Sequence, residues 1–102
     1  MSLVLVVTIY PLPEYRDELI DVLVATVEGV HSEAGCELYA LTEGSDELVL
    51  IEKWASAEAH QAHSASDAVK NLHLALAGKV AREAHAQVLQ EHPAGTREQG
   101  QL

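Results

Sequence analysis

Two histidines, His63 and His73, are the side chains of this 102-residue sequence that best suit proton transfer. His73 falls on an apolar helical stripe together with Val69, Leu72 and Leu76. Desolvation on such a stripe favours the neutral imidazole, which has a nitrogen free to accept a proton. We therefore predict that His73 points inward, where it can serve as a base.

The second histidine belongs to the preceding helical segment, where Ala59, Ala62 and His63 share one face at i, i+3, i+4 spacing. That face is expected to point at the sheet, over a strand on which Glu52 and Trp54 lie on one side. Inward histidines above these residues predict a polar spot in an apolar cleft, the usual composition of a small-molecule site. The alternative is structural: each histidine is a hydrogen-bonded core residue, and Glu52 is solvated or paired with a lysine.

Other residue types give weaker signals. Tyr39 can offer its hydroxyl to a ligand or serve as a sheet-packing residue. His60 and His63 are three residues apart, so both could bind the same metal ion. No third ligand follows at a suitable distance, so no metal site is predicted. The sequence contains no glycine-rich phosphate loop, nucleophile elbow or paired-cysteine zinc pattern. Cys36, the only cysteine, is interpreted as a small hydrophobic residue.

The elements that position these residues follow from the hydrophobic patterns. β-branched and alternating segments predict strands, whereas apolar residues at helical spacing predict helices. The predicted elements are a strand at 3–10, a helix from about 14 to 34 ended by Gly35, strands at 36–41 and 47–54, a helix from the Ser56 cap to about 63, a helix from the Ser66 cap to near Gly78, and a strand at 84–90.

This order predicts an α+β, ferredoxin-like (split βαβ) fold: a four-stranded antiparallel sheet with helices on one face. The first strand and the hairpin nevertheless carry apolar residues on both faces, so one face lacks a cover within the chain. A twofold homodimer that packs sheet against sheet would cover it. Residues 1–91 are predicted to form the domain and residues 92–102 a polar C-terminal tail.

The composition excludes several classes of partner. The sequence has 6 basic and 16 acidic residues, a net charge of −10, and 48% hydrophobic residues. Such a chain is unsuited to sequence-independent binding of nucleic acid or of anionic membranes. The apolar residues 3–7 are too few to span a bilayer, and no basic segment precedes them. A single cysteine permits no intrachain disulfide, so we expect a cytoplasmic protein.

Three motifs in order resemble the antibiotic biosynthesis monooxygenase (ABM) domain family. They are Glu-x-Gly-Cys-x-x-Tyr at 33–39, Glu-x-Trp-x-Ser at 52–56, and His63 nine residues after the tryptophan. The similarity extends over about residues 3–91. It implies a dimeric α/β barrel of two ferredoxin-like subunits. In characterised members it also implies oxygenation of a quinol, anthrone or similar phenolic ring without metal or flavin.

The resemblance implies that His63, Trp54 and Glu52 are site residues, because they match the family motif. His73 and Tyr39 are candidates mainly because of their predicted placement. It implies a cofactor-independent monooxygenase acting on a small aromatic molecule and O₂. His63 or His73 would be the base, Glu52 would orient a histidine, and Tyr39 and Trp54 would donate hydrogen bonds to the substrate. The alternative is a non-catalytic dimeric module that binds a hydrophobic metabolite. Haem degradation and isomerisation, which also occur in the family, are less expected, the former because the first strand lacks that branch's asparagine.

Overall fold

The computed structural model describes residues 2–102, so Met1, the first residue of the predicted domain, lies outside the described part. A 3₁₀ turn, Pro13–Tyr15, precedes the first helix. The strands and helices in chain order are β1 (Leu3–Ile9), α1 (Arg16–Val30), β2 (Cys36–Glu43), β3 (Leu48–Trp54), α2 (Ala57–Ser64), α3 (Asp67–Leu76), β4 (His85–Leu89) and α4 (Arg97–Gly100).

The four strands form one antiparallel sheet in the order β2-β3-β1-β4, which confirms the predicted ferredoxin-like α+β fold. The register places Tyr39 opposite Glu52, Glu52 opposite Leu5, and Leu5 opposite Val88. Because directly paired residues point to the same face of a sheet, these four side chains form one row across it. The row lies on the face that the helices cover.

The core lies between this face and the helices. Leu19, Leu23 and Val30 are fully buried at helical spacing along α1, whose polar residues point outward. They pack against buried residues of the sheet and of α3: Leu5, Ile9, Tyr39, Leu48, Leu50, Trp54 and Leu72. Burying an aliphatic side chain stabilises a fold by about 1.5–3 kcal/mol, so this cluster anchors α1 firmly on the sheet.

The end of α1 differs from the prediction, because the helix stops at Val30 and not near residue 34. The chain then turns, with the amide of Glu33 donating to the carbonyl of Val30 at 2.9 Å. Gly35 has a φ of +81°, and a Cβ at this position would lie 2.5 Å from the Cβ of Ala59. Gly35 therefore permits the close approach of α2 to the turn, rather than capping α1.

The two helices after the hairpin begin where the sequence predicts. The hydroxyl of Ser56 accepts from the amide of Ala59 at 3.1 Å, and that of Ser66 accepts from the amide of Val69 at 3.3 Å. These hydrogen bonds satisfy amides that a helix N-terminus leaves unpaired, and they confirm both predicted caps. Within residues 2–102, no helix is long and apolar enough to cross a membrane.

The outer face of the sheet, turned away from the helices, is apolar and only partly covered. Its half-buried residues include Val6, Leu38, Ala40, Val49 and Ile51. At one end of this face, Lys53 pairs with Glu91 at 2.9 Å, and the amide of Leu102 donates to Glu91 at 2.6 Å. The C-terminal tail thus returns to the sheet at Lys53, with the short helix α4 inside it.

Candidate functional site

A cleft of about 320 Å³ opens between the sheet and the helices α2 and α3. Its lining is mostly aliphatic, from Leu5, Val7, Leu50, Val69, Leu72 and Leu76. The polar residues that reach it are Tyr39, Glu52, His60, His63, Ser64 and His73. An apolar cleft with a few convergent polar groups is the usual form of a small-molecule site.

His63 is the buried centre of the site, with 5% of its surface exposed. Helix α2 directs its ring at the sheet, as the sequence predicts. Its Nδ1 lies 3.0 Å from Oε1 of Glu33, and its Nε2 lies 4.0 Å from Oε1 of Glu52. One ring nitrogen is therefore hydrogen-bonded, while the other faces Glu52 across a gap too long for a direct hydrogen bond.

Glu52 is the second buried polar residue, with 3% of its surface exposed. Burial raises the pKa of its carboxyl group, while the indole hydrogen bond and His63 act in the opposite direction. The indole N–H of Trp54 donates to Oε1 of Glu52 at 3.0 Å. Because the N–H of Trp54 is already engaged, the indole holds Glu52 in place rather than presenting a free donor to a substrate.

Aromatic rings enclose the imidazole of His63. The centroid of Trp54 lies 4.4 Å away, and that of Tyr39 lies 5.4 Å away with its edge toward the ring. Tyr39 is buried, and desolvation together with the neighbouring Glu52 raises the pKa of its hydroxyl. Tyr39 therefore keeps its proton at neutral pH and can act as a hydrogen-bond donor at the edge of the cleft.

His73 lies at the cleft but is exposed, so its predicted desolvation is wrong for this chain. On α3 only Leu72 is buried, and strand β4 on the same side of the cleft is exposed along its whole length. Neither element therefore shields His73 from water. His60 lines the cleft instead as a half-buried residue, and burial followed by the proximity of His63 lowers its pKa. The structure thus brings His60, not His73, beside the buried histidine, at 6.1 Å between ring centroids.

Glu33 is a site residue that the sequence reasoning did not assign. It lies in the turn after α1 and reaches His63 across 30 positions of sequence. The available signal was its place at the start of the motif at 33–39. In the described part of the chain, no group of three His, Cys, Asp or Glu side chains is arranged to hold a metal ion.

Comparisons with known proteins agree with the motifs. The chain matches the model of the ABM family, described as antibiotic biosynthesis monooxygenase, over residues 2–75. Rv0793 of Mycobacterium tuberculosis is similar in structure, with a TM-score of 0.86 and 26% sequence identity over 94% of this chain and 100% of that protein. A protein of Caulobacter crescentus CB15, provisionally named an antibiotic biosynthesis monooxygenase, has a TM-score of 0.81 and 24% identity over 86% and 87% of the two chains.

Among proteins with curated functions, none matches this chain in sequence. The predicted family resemblance is nevertheless confirmed, because the family model covers most of the chain and the solved structures share its fold. The chain belongs to the antibiotic biosynthesis monooxygenase (ABM) family.

Proposed function

We propose that this protein is a cofactor-independent monooxygenase that oxidises a small aromatic quinol or anthrone-like compound with O₂. One observation carries the proposal: Nε2 of the buried His63 and the carboxyl group of Glu52 open into the same apolar cleft, 4.0 Å apart. Family membership supports the reaction class.

The gap between His63 and Glu52 suits a substrate hydroxyl. An oxygen atom can lie within about 2.8 Å of both Nε2 and Oε1, which is hydrogen-bonding distance. In this position Nε2 of His63 accepts the hydroxyl proton as a general base. Burial raises the pKa of Glu52, which favours the protonated form of its carboxyl group, and that form would donate a hydrogen bond to the resulting oxyanion.

The substrate supplies all the electrons for the reaction. The deprotonated ring passes electrons to O₂. In a quinol, one oxygen atom enters a ring C–H bond as a hydroxyl group, the ring becomes a quinone, and the other oxygen atom leaves as water. In an anthrone-like substrate, a ring methylene becomes a carbonyl group. One oxygen atom of O₂ enters the carbonyl, and the other leaves as water with the two methylene hydrogens. The four electrons lost by the substrate reduce O₂ completely, so no external reductant is needed. Tyr39 also lines the cleft, and its hydroxyl can donate a hydrogen bond to charge on the ring.

The proposal includes a homodimer formed through the outer face. Half-buried Val6, Ala40 and Ile51 form a contiguous apolar row there, since they pair directly across three strands. Light scattering of the purified protein is expected to give twice the mass of one chain. Ile51→Lys is expected to give single chains. Val24→Lys, on the solvent-exposed face of α1, is the control that is expected to keep the dimer. A wild-type protein of single-chain mass contradicts this part of the proposal.

A non-catalytic binding module is the second candidate, and the open side of the cleft favours it. Strand β4 is exposed, and its Ala86 lines the cleft, so water reaches this side in the single chain. Oxygenation needs reactive intermediates to be shielded from water, whereas reversible binding of a hydrophobic metabolite does not.

An oxygen electrode distinguishes the two functions. Purified protein, treated with chelator and freed of flavin, is tested with a panel of hydroquinones and anthrones. The oxygenase is expected to consume one O₂ per anthrone converted to quinone, and His63→Gln is expected to abolish most of this uptake. His92→Gln, in the exposed tail, is the matched control. Saturable binding without oxygen uptake supports the binding module and contradicts the oxygenase.

A further inference from the structure

The pair formed by Glu33 and His63 determines which ring nitrogen carries a proton. Oε1 of Glu33 lies 3.0 Å from Nδ1 of His63, and the His63 side chain is 6% exposed. A carboxylate can only accept hydrogen bonds, so Nδ1 must be the donor in this contact. In a neutral imidazole the other nitrogen, Nε2, then holds the free lone pair.

The opposite tautomer fits the surroundings poorly. It would place the lone pair of Nδ1 against the carboxylate of Glu33, which is repulsive. Its Nε2–H would point toward Glu52 at 4.0 Å, too far for a good hydrogen bond. The other titratable groups beside His63 are Tyr39 and His60, and both contact it through their rings. Only Glu33 therefore makes a direct hydrogen bond to the imidazole in the described part of the chain.

The backbone holds Glu33 in this position. The amide of Cys36 donates to the carbonyl of Glu33 at 3.2 Å, and the amide of Ala55 donates to that of Gly35 at 2.8 Å. These bonds fasten the turn after α1 to the segment that leads into α2, the helix that carries His63. The positive φ of Gly35 lets α2 approach closely, so the distance between carboxylate and imidazole is set by the fold.

We propose that Glu33 is a positioning residue of this site, which holds His63 with its proton on Nδ1 and leaves Nε2 to accept the proton of a substrate hydroxyl. Its effect on turnover rests on the proposed function, but the tautomer that it imposes does not. Glu33 does not touch the substrate and acts only through His63.

The tautomer is measured without substrate, by long-range ¹H–¹⁵N NMR of protein labelled with ¹⁵N-histidine. We expect wild-type His63 to carry its proton on Nδ1. Glu33→Gln is expected to keep this tautomer, because the amide oxygen still accepts from Nδ1. Glu33→Leu is expected to shift His63 toward the Nε2–H form. Glu28→Gln, on the exposed side of α1, is the control and leaves the spectrum unchanged.

Oxygen uptake then tests the consequence for catalysis. Loss of a group that orients a metal-bound imidazole costs about 10–100-fold in activity, and we expect a similar factor for this free imidazole. We expect kcat to fall by this factor in Glu33→Leu with little change in KM, and Glu33→Gln to recover part of the loss. A wild-type Nε2–H tautomer overturns the proposal, as does a folded Glu33→Leu variant with an unchanged tautomer.

If Glu33→Leu does not fold, the wild-type and Glu33→Gln spectra decide, because both must show Nδ1–H. If no substrate is oxidised, the proposed function fails, while the NMR result still tests the role of Glu33.

Discussion

The two sides of the cleft differ in how deeply their side chains are buried and how closely they contact one another. On the side of β2, β3 and α2, Glu52, Trp54 and His63 are buried and contact one another directly. On the side of α3 and β4, His73 is exposed and Val88 is 65% exposed, although Val88 shares a row with Glu52. One cleft thus combines a packed polar wall with an open aliphatic wall.

This difference separates two tasks within the site. In the packed wall, the indole N–H of Trp54 is bound to Glu52 and Nδ1 of His63 is bound to Glu33, so Nε2 of His63 is the ring nitrogen left without a direct hydrogen bond. Such hydrogen bonds hold the side chains in place, and the wall is thereby preorganised for proton transfer at Nε2. The open wall leaves room for the body of a ligand to enter. Matched variants of the two walls test this division.

The largest difference is expected between the two histidines. Removal of a general base costs about 10²–10⁴-fold, so His63→Gln is expected to lower kcat/KM by this factor in the oxygen-uptake assay. His73→Gln, at the exposed mouth, is expected to lower it by less than about tenfold. An equal or greater loss in His73→Gln would show that the open wall performs the chemistry.

Stability is expected to depend on the packed wall. Leu50 lines the cleft beside Glu52 and is 1% exposed, and truncation of such a residue costs about 2–5 kcal/mol. Leu50→Ala is therefore expected to lower the free energy of unfolding by this amount in urea titrations. Val88→Ala on the open wall is expected to change it by no more than about 0.5 kcal/mol. Similar losses in both variants contradict the comparison.

The turn that carries Glu33 offers a smaller and more specific test. Gly35 and Gly78 both have positive φ, so an alanine strains the backbone at either position. Only at Gly35 does the added Cβ meet another residue, at 2.5 Å from Ala59. Gly35→Ala is expected to destabilise the protein by about 1–3 kcal/mol more than Gly78→Ala in urea titrations. Equal losses would show that α2 does not press on the turn.

The smallest effect is expected from neutralising Glu52, and it depends on pH. Because burial raises its pKa above the ordinary value of 4.5, Glu52 favours the folded state most at low pH, and this contribution is lost as pH rises through the folded-state pKa. Glu52→Gln cannot ionise and still accepts from Trp54. Urea titrations are expected to show it more stable than wild type at pH 8, with a smaller difference toward pH 4.5. A difference that is constant with pH contradicts this account.

The fold was predictable because its signals are local. Period-two and helical patterns in residues 3–90 predict the elements, and Ser56 and Ser66 predict the two helix starts that the structure confirms. The inward direction of His63 followed from the same spacing. The exposure of His73 did not, because it depends on how much of α3 the exposed strand β4 covers, which is a tertiary property.

The missing member of the site reflects an error at one helix boundary. Extending α1 to residue 34 places Glu33 on a helical turn, where a charged residue is expected to face water. The helix ends at Val30 instead, and the turn that follows brings Glu33 to a helix 30 residues further along the chain. Helix ends are the least certain part of a sequence-based prediction, and here the end determines a contact in the site.

Trp54, which is the only tryptophan in the sequence, lies with its ring centroid 4.4 Å from that of His63. A charged imidazole at this separation quenches indole fluorescence more strongly than a neutral one. The emission of the unlabelled protein therefore originates at one place, and its intensity responds to changes at the imidazole packed against it. The molecule carries an intrinsic optical probe packed against the buried histidine of its own site.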